Sequence, residues 1–145
     1  MSKGNKWHDF VKEEKGATAL ISIMMMFVLL AFAGLIIDCG YVVYSKIGLD
    51  EATMQASDSA ILAVDNDYFD ETGEVEIIIE DAADYIEYVL LYNLPDAILI
   101  SVEADPIKPN IVEVYSQRTV PVHFSKILGI NEVTIYSKAI CKVDG

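Results

Sequence analysis

An uncharged run of 21 residues, from Ala17 to Ile37, constrains this chain more than any other feature. A helix rises about 1.5 Å per residue, so the run would span roughly 31 Å, which is the thickness of the hydrocarbon core of a bilayer. With 145 residues in total, the chain has room for this span and one further compact unit. The run therefore predicts a single-pass membrane protein.

The charges on either side of the run predict its orientation. Four of the ten Lys and Arg residues precede it, which leaves six for the 108 residues that follow; the four are Lys3, Lys6, Lys12 and Lys15. Three of the 23 Asp and Glu residues precede it, which leaves 20. Because basic residues are enriched on the cytoplasmic side, we expect a cytoplasmic basic arm (1–16), a transmembrane segment (17–37) and an extracytoplasmic domain (38–145).

The composition narrows the range of partners. With 20 acidic and six basic residues, the segment 38–145 carries a net charge of −14, which disfavours attraction to nucleic acid or to anionic lipid through bulk charge. Apolar residues make up 53% of the whole chain, a higher content than disordered acidic tails have. We therefore expect the lipid bilayer as a partner through the run, no nucleic acid and no small-molecule substrate.

Two other interpretations of the run are weaker. The pattern Ala31-Phe32-Ala33 is typical of a signal-peptidase site, but the run continues past it and exceeds the ~7–15 residues of a usual signal segment. A lipoprotein would be acylated at Cys39, but Asp38 stands where such signals need a small residue. Retention of the run as an anchor is favoured over both.

Beyond the run, the pattern predicts an α+β domain. No proline occurs before Pro95, and a sequence rich in Ala, Leu and Met predicts that the helix continues to Val64, for roughly 45 residues in all. An acidic, turn-like segment (65–74) would end it as a solvated loop. The remaining periodicities predict a short strand or lead-in at Val75–Ile79, a helix at Glu80–Asn93 and an antiparallel meander at Ala97–Glu103, Ile111–Val122 and Val133–Val143. We expect the long helix to pack on this small sheet, with one or two further helices.

Small side chains form a stripe on the outer half of the long helix. Ala52, Ala56 and Ala60 are spaced by four residues, and Ser59 and Ala63 lie beside them. Such a stripe permits close approach of another element. It could pack on the protein's own sheet, at Ile98-Ile100-Val102 and Val133-Ile135-Ala139, or on a helix of another subunit in an assembly.

The sequence contains no recognisable catalytic or metal-binding pattern. The two histidines, His8 and His123, have no partner motif, and no nucleophile elbow, phosphate-binding loop, Cys-x-x-Cys pair or His-Glu-x-x-His helix occurs. The acidic segment has Phe69 where an EF-hand loop needs an oxygen ligand. We expect no enzymatic activity, no metal and no cofactor. Cys39 and Cys141 could form a disulfide outside the membrane or remain two separate thiols.

Several segments, taken in order, resemble the TadE/TadG-like proteins of the tight-adherence (Flp) pilus system. Those around the apolar run are Glu14-Lys15-Gly16-Ala17, Ile37-Asp38-Cys39-Gly40-Tyr41 and Leu49 through Ala63. The later ones are Tyr92-Asn93, Val112-Glu113-Val114, Val120-Pro121-Val122-His123-Phe124 and Ile127-Leu128-Gly129-Ile130, followed by a final strand that contains alanine. Their order is similar to that of TadG-like proteins through nearly the whole chain.

The resemblance implies a pilin-like protein of the bacterial cytoplasmic membrane that serves the assembly of a thin adhesive pilus. Its partners would be other pilus or pseudopilin subunits and the assembly machinery. The implied processing site is Gly16-Ala17, but Ile21 stands where processed pilins carry Glu, so we expect cleavage to be inefficient or absent. The alternative function is a membrane-anchored extracellular binding or sensor domain unrelated to pili.

Overall fold

The computed structural model describes residues 6–143, with side chains from residue 16 onward. The predicted basic arm therefore falls outside the described side chains, including those of Lys3, Lys6, Lys12 and Lys15.

The first element is one continuous helix, α1, which covers Lys6–Asp58 and is 53 residues long. Near its end, Ser57 Oγ donates a hydrogen bond to the Met54 carbonyl oxygen at 2.8 Å, and Ser59 Oγ donates to that of Ala56 at 2.6 Å. Serine side chains that bond back to the helix compete with its own ladder. The chain there tightens into a 3-10 turn at Ser59–Ala63 and then becomes extended at Val64.

The acidic segment forms a short helix, α2 (Asn66–Thr72), so the expectation of a solvated loop is wrong. Asp65 caps its start, because the carboxylate accepts a hydrogen bond from the Tyr68 N–H at 3.0 Å. Gly73 ends it in the left-handed conformation, with φ of 72°. These two capping residues stabilise a helix where the acidic, turn-like composition predicted a loop.

A third helix and a single bridge complete the helical part of the domain. The helix α3 covers Ile79–Asn93 and buries Ala82, Ile86 and Leu90, on the face that the sequence predicted. The predicted lead-in before it makes one antiparallel bridge, between Val64 and Ile77.

The sheet is the predicted three-stranded antiparallel meander. Its strands are β1 (Ala97–Ala104), β2 (Ile111–Pro121) and β3 (Glu132–Lys142), in the spatial order β1-β2-β3. The α+β fold class is thereby confirmed: a long apolar N-terminal helix packs on a small antiparallel sheet, with two further helices.

The core lies between the sheet and the helices α1 and α3. Leu49 and Ala56 of α1, Ile86 of α3 and Val114 of β2 are completely buried there. On β1 the expected inward face is wrong at Ile98 and Ile100, which are about half exposed, whereas Val102 packs against the core as expected. Instead Ala97 is buried and Leu99 is partly buried, and a bulge between Leu99 and Ser101 then breaks the alternation.

Candidate functional site at the helix–sheet junction

The inner face of α1 carries buried polar side chains as well as apolar ones. Asp38, Ser45, Thr53 and Ser57 are each at most 3% exposed. Thr53 Oγ1 lies 2.6 Å from Ser116 Oγ on β2, and the partly exposed Asp50 accepts a hydrogen bond from Ser137 Oγ on β3 at 2.5 Å. These contacts set the axial position of α1 against the sheet.

The buried polar side chain with the most hydrogen bonds is Asp38, one residue after the apolar run. Its carboxylate accepts hydrogen bonds from the His123 N–H (3.0 Å), the Ser125 N–H (2.6 Å) and Ser125 Oγ (2.8 Å). We call Asp38, His123 and Ser125 the Asp38 cluster. It joins α1 to the β2–β3 loop, which we define as residues 122–131.

The hydrogen bonds of the Asp38 cluster decide the charge of the carboxyl group. Burial alone would raise the pKa of Asp38, but the donors of His123 and Ser125 outweigh it and lower the pKa to about 2. The carboxylate therefore stays ionised at neutral pH. Its ionised form stabilises the fold above the ordinary pKa of 3.8, and that stabilisation is lost as the pH falls toward 2.

The β2–β3 loop is held in one shape by its own hydrogen bonds. The Val122 N–H donates to the Asn131 carbonyl oxygen at 3.1 Å, which closes the base of the loop. A 3-10 turn at Ser125–Leu128 forms its tip and ends at Gly129, whose φ of 83° is in the left-handed region. These hydrogen bonds and the turn at Gly129 therefore give the loop a defined conformation.

A second contact joins this loop to α1 within the apolar run itself. The Phe124 ring packs directly on Gly34, which is buried. A Cβ atom added to Gly34 would lie 2.5 Å from Cγ of Phe124, closer than real Cβ contacts come. Glycine at this position thus allows the aromatic ring to touch the helix backbone.

Other side chains of the loop are apolar and point outward. Ile127 is 82% exposed and Leu128 is 66% exposed, and Phe124 and Ile130 are each a little less than half exposed. Exposed large apolar residues grouped on one loop mark a surface that something else covers.

The sequence-predicted site residues lie in three places. Gly16 and Ala17 are exposed on α1. Of the small-residue stripe, Ser59 is half-buried, and the buried members, which belong to the protein's own core, are Ala52, Ala56, Ala60 and Ala63.

The two cysteines are free thiols, so the disulfide alternative is not formed in the structure. Cys39 is exposed on α1, at the start of the domain, whereas Cys141 is buried in β3. Cys39 lines a depression together with Val133, which lies near the start of β3. Cys141 follows Val133 by eight residues, or about 26 Å of strand, so the two thiols belong to opposite ends of the domain.

The contacts of the junction position the β2–β3 loop on α1. Among the described residues, no group of three or more His, Cys, Asp and Glu side chains is placed to hold a metal ion. His123 enters the Asp38 cluster through its backbone N–H. The buried carboxylate of Asp38 fixes the β2–β3 loop against α1.

Sequence reasoning missed this junction although it singled out both halves of it. Asp38 belongs to one segment of the resemblance, and His123 and Phe124 belong to another. These segments are 85 residues apart, and their meeting depends on the sheet register. The available signal was an acidic residue directly after an apolar run, where a charge without a partner would be costly.

The helix α1 is also the one described helix that is long and apolar enough to cross a membrane, judged by length and composition. Only 6% of its most apolar window is buried within the protein. Comparison of the chain with protein-family models, curated proteins and solved structures finds no match.

Proposed function

We propose that this chain is a minor pilin-like or pseudopilin-like component of a tight-adherence type pilus. It spans the cytoplasmic membrane once, with its N-terminus inside and its acidic domain outside, and acts by lateral packing of helices. The observation that carries the proposal is α1, an unbroken helix whose apolar run (17–37) is mostly exposed and whose later part is the core helix of the domain.

The exposed apolar side chains of the run require lipid or protein to shield them from water. Within the run, Met24, Phe27 and Ile36 are 62%, 68% and 71% exposed. Lipid covers such a surface in the membrane, and neighbouring helices can replace lipid if the subunit leaves the membrane for a fibre. A subunit with this helix could therefore move between bilayer and filament at modest cost.

Beyond the membrane, the outer face of α1 offers a surface for neighbours. Tyr44, Ile47 and Met54 are 75%, 52% and 64% exposed, and their spacing places them on one helical face. The small-residue stripe is already used by the protein's own core. Lateral packing is therefore assigned to this outer face, defined by Tyr44, Ile47 and Met54.

The intact mass of the protein, measured from membranes and from sheared surface fibres, tests the proposal. We expect the protein in both fractions, with the form in the membrane still carrying Lys3 to Lys15 because Ile21 replaces the usual Glu. A mature N-terminus at Ala17 in most molecules would overturn the processing expectation and favour a filament subunit. If the protein is absent from fibres and fibres assemble without it, the alternative function, a membrane-anchored binding or sensor domain, is favoured.

Paired variants test the outer face directly. The double variant Ile47→Lys, Met54→Lys should abolish fibre assembly but leave the unfolding temperature close to that of the wild type, because both side chains are exposed. Tyr136→Lys is the matched control, since Tyr136 is 60% exposed on the face of β3 that points away from α1. Equal assembly by both variants would contradict packing through the outer face.

A further inference from the structure

We propose that the β2–β3 loop is a second membrane attachment, which inserts the side chains of Phe124, Ile127 and Leu128 into the outer leaflet beside α1. The inference rests on the proposed membrane span of residues 17–37. It adds that the domain is fixed to the bilayer surface at two points instead of standing on one helix.

The position of the loop carries the proposal. Gly34, which Phe124 contacts, lies three residues before Ile37, the last residue of the apolar run. Three helical residues correspond to about 4.5 Å, so if the run fills the hydrocarbon core, the Phe124 ring lies below its outer boundary. Segments that lie in the interface bury their apolar side chains by about 5–10 Å, which agrees with this depth.

The chemistry of the loop suits the same location. From Thr119 to Asn131 the chain has no Asp or Glu, although the segment 38–145 has 20. Lys126 is the one Lys or Arg in this stretch, and its ammonium group can reach lipid phosphates. The acidic domain thus has an uncharged to weakly basic surface where it would meet lipid.

Neighbouring features of α1 fit a headgroup boundary at this level. Tyr41 and Tyr44 are exposed just after the apolar run, where aromatic side chains favour the membrane–water interface. A shallow depression of about 280 Å³ lies between α1 and the loop. Its lining is mainly aliphatic: Val42, Val43, Val122, Ile130 and Val133, beside Asp38, Cys39 and Ser125.

The bilayer is the occupant that the structure favours over a second protein. The loop touches α1 inside the apolar run, so its tip continues the surface that the bilayer covers. The Asp38 cluster and the Gly129 turn hold the loop in shape before any partner arrives, so little ordering entropy is lost on insertion.

Tryptophan fluorescence of the full chain in phosphatidylcholine vesicles tests the inference. The natural Trp7 is first replaced by Phe, and single tryptophans are introduced by Ile127→Trp, Ile107→Trp and Phe27→Trp. Ile107 is the matched control, because it is 85% exposed in the β1–β2 turn at the opposite end of the sheet. Phe27 lies at the centre of the apolar run and reports the span itself.

We expect the emission of Ile127→Trp in vesicles to lie at a shorter wavelength than that of tryptophan in water. Lipids brominated near the headgroup end of the acyl chain should quench this emission. Lipids brominated near the chain end should quench Phe27→Trp most strongly, and neither lipid should quench Ile107→Trp. Since bromine is present in both leaflets, the result does not depend on orientation in the vesicle. Leu128→Trp gives a second reading of the loop tip and should behave like Ile127→Trp.

The outcomes separate the two proposals. If Phe27→Trp is quenched but Ile127→Trp and Leu128→Trp emit as in water, the loop proposal fails and the membrane span stands. If the loop tryptophans are shifted to shorter wavelength without lipid quenching, a protein surface covers the loop and the bilayer is the wrong occupant. If Phe27→Trp itself is not quenched, the span fails, and the loop proposal falls with it.

Discussion

At the scale of single residues, Asp38 combines near-complete burial with three accepted hydrogen bonds, and both features depend on the β2–β3 loop. The carboxylate lies where the apolar run ends, and it is the first charged side chain after that run. Its partners are two backbone N–H groups and one hydroxyl, none of which carries a positive charge. Neutral donors thus hold this buried anion next to an apolar segment.

Asp38→Asn should lower the unfolding temperature at pH 7, because the amide NH2 group cannot accept the hydrogen bonds that a carboxylate oxygen accepts, and the negative charge that the donors favour is lost. The ionised carboxylate stabilises the fold above pH 3.8, so the difference from the wild type should narrow as the pH falls from 3.8 toward 2. Thermal unfolding of the full chain in detergent, followed by circular dichroism, measures it. Asp84→Asn, at an exposed position on α3, is the control and should change little at any pH.

Gly34→Ala and Gly40→Ala form a second pair of residue-scale variants. Alanine is normally favoured over glycine inside a helix by about 0.5–1 kcal/mol. A methyl group added at Gly40 would meet none of the described residues within 4 Å, so Gly40→Ala should stabilise the protein. At Gly34 the same methyl group would collide with Phe124, so Gly34→Ala should lower the unfolding temperature. Equal stabilisation by both substitutions would show that Phe124 does not pack on α1.

At the scale of elements, α1 is locked to the domain by close contacts of its small residues. Ala56 is 0% exposed in the shared core. Ala56→Leu should overpack this contact and lower the free energy of unfolding by about 1–3 kcal/mol. Glu51→Leu, one turn earlier on the exposed side, should cost much less. Chemical denaturation of both variants decides the matter, and similar midpoints would mean that the stripe reflects helix propensity alone.

The elements that the sequence predicted are those whose signal is local. The apolar run, the face of α3 and the alternation of β2 and β3 are each visible within one continuous segment of the chain, and the structure has all of them. The capped helix α2 was missed because its capping residues, Asp65 and Gly73, are also common turn residues. The bulge in β1 and the Asp38 cluster depend on register between distant segments, which no local pattern contains.

At the scale of the whole molecule, the expected topology has the N-terminal arm inside the cell and the acidic domain outside. Protease accessibility tests this orientation. Protease added to intact protoplasts should remove the domain 38–145, because we expect it to lie outside. Immunodetection of the N-terminal arm should show that the arm is protected until the membrane is opened. Access to the arm alone, with the domain protected, would reverse the orientation.

The placement of the two thiols makes the chain suitable for site-selective spectroscopic labelling without mutagenesis. Burial, followed by the charge of Asp58, raises the pKa of Cys141, so this thiol should react slowly with maleimides, whereas Cys39 is open to reagents. A spin label or dye attached to the native protein would therefore sit at Cys39, two residues after the apolar run. Such a label would report local polarity and oxygen accessibility directly after the apolar run, and would show whether lipid, protein or water surrounds the helix at that point.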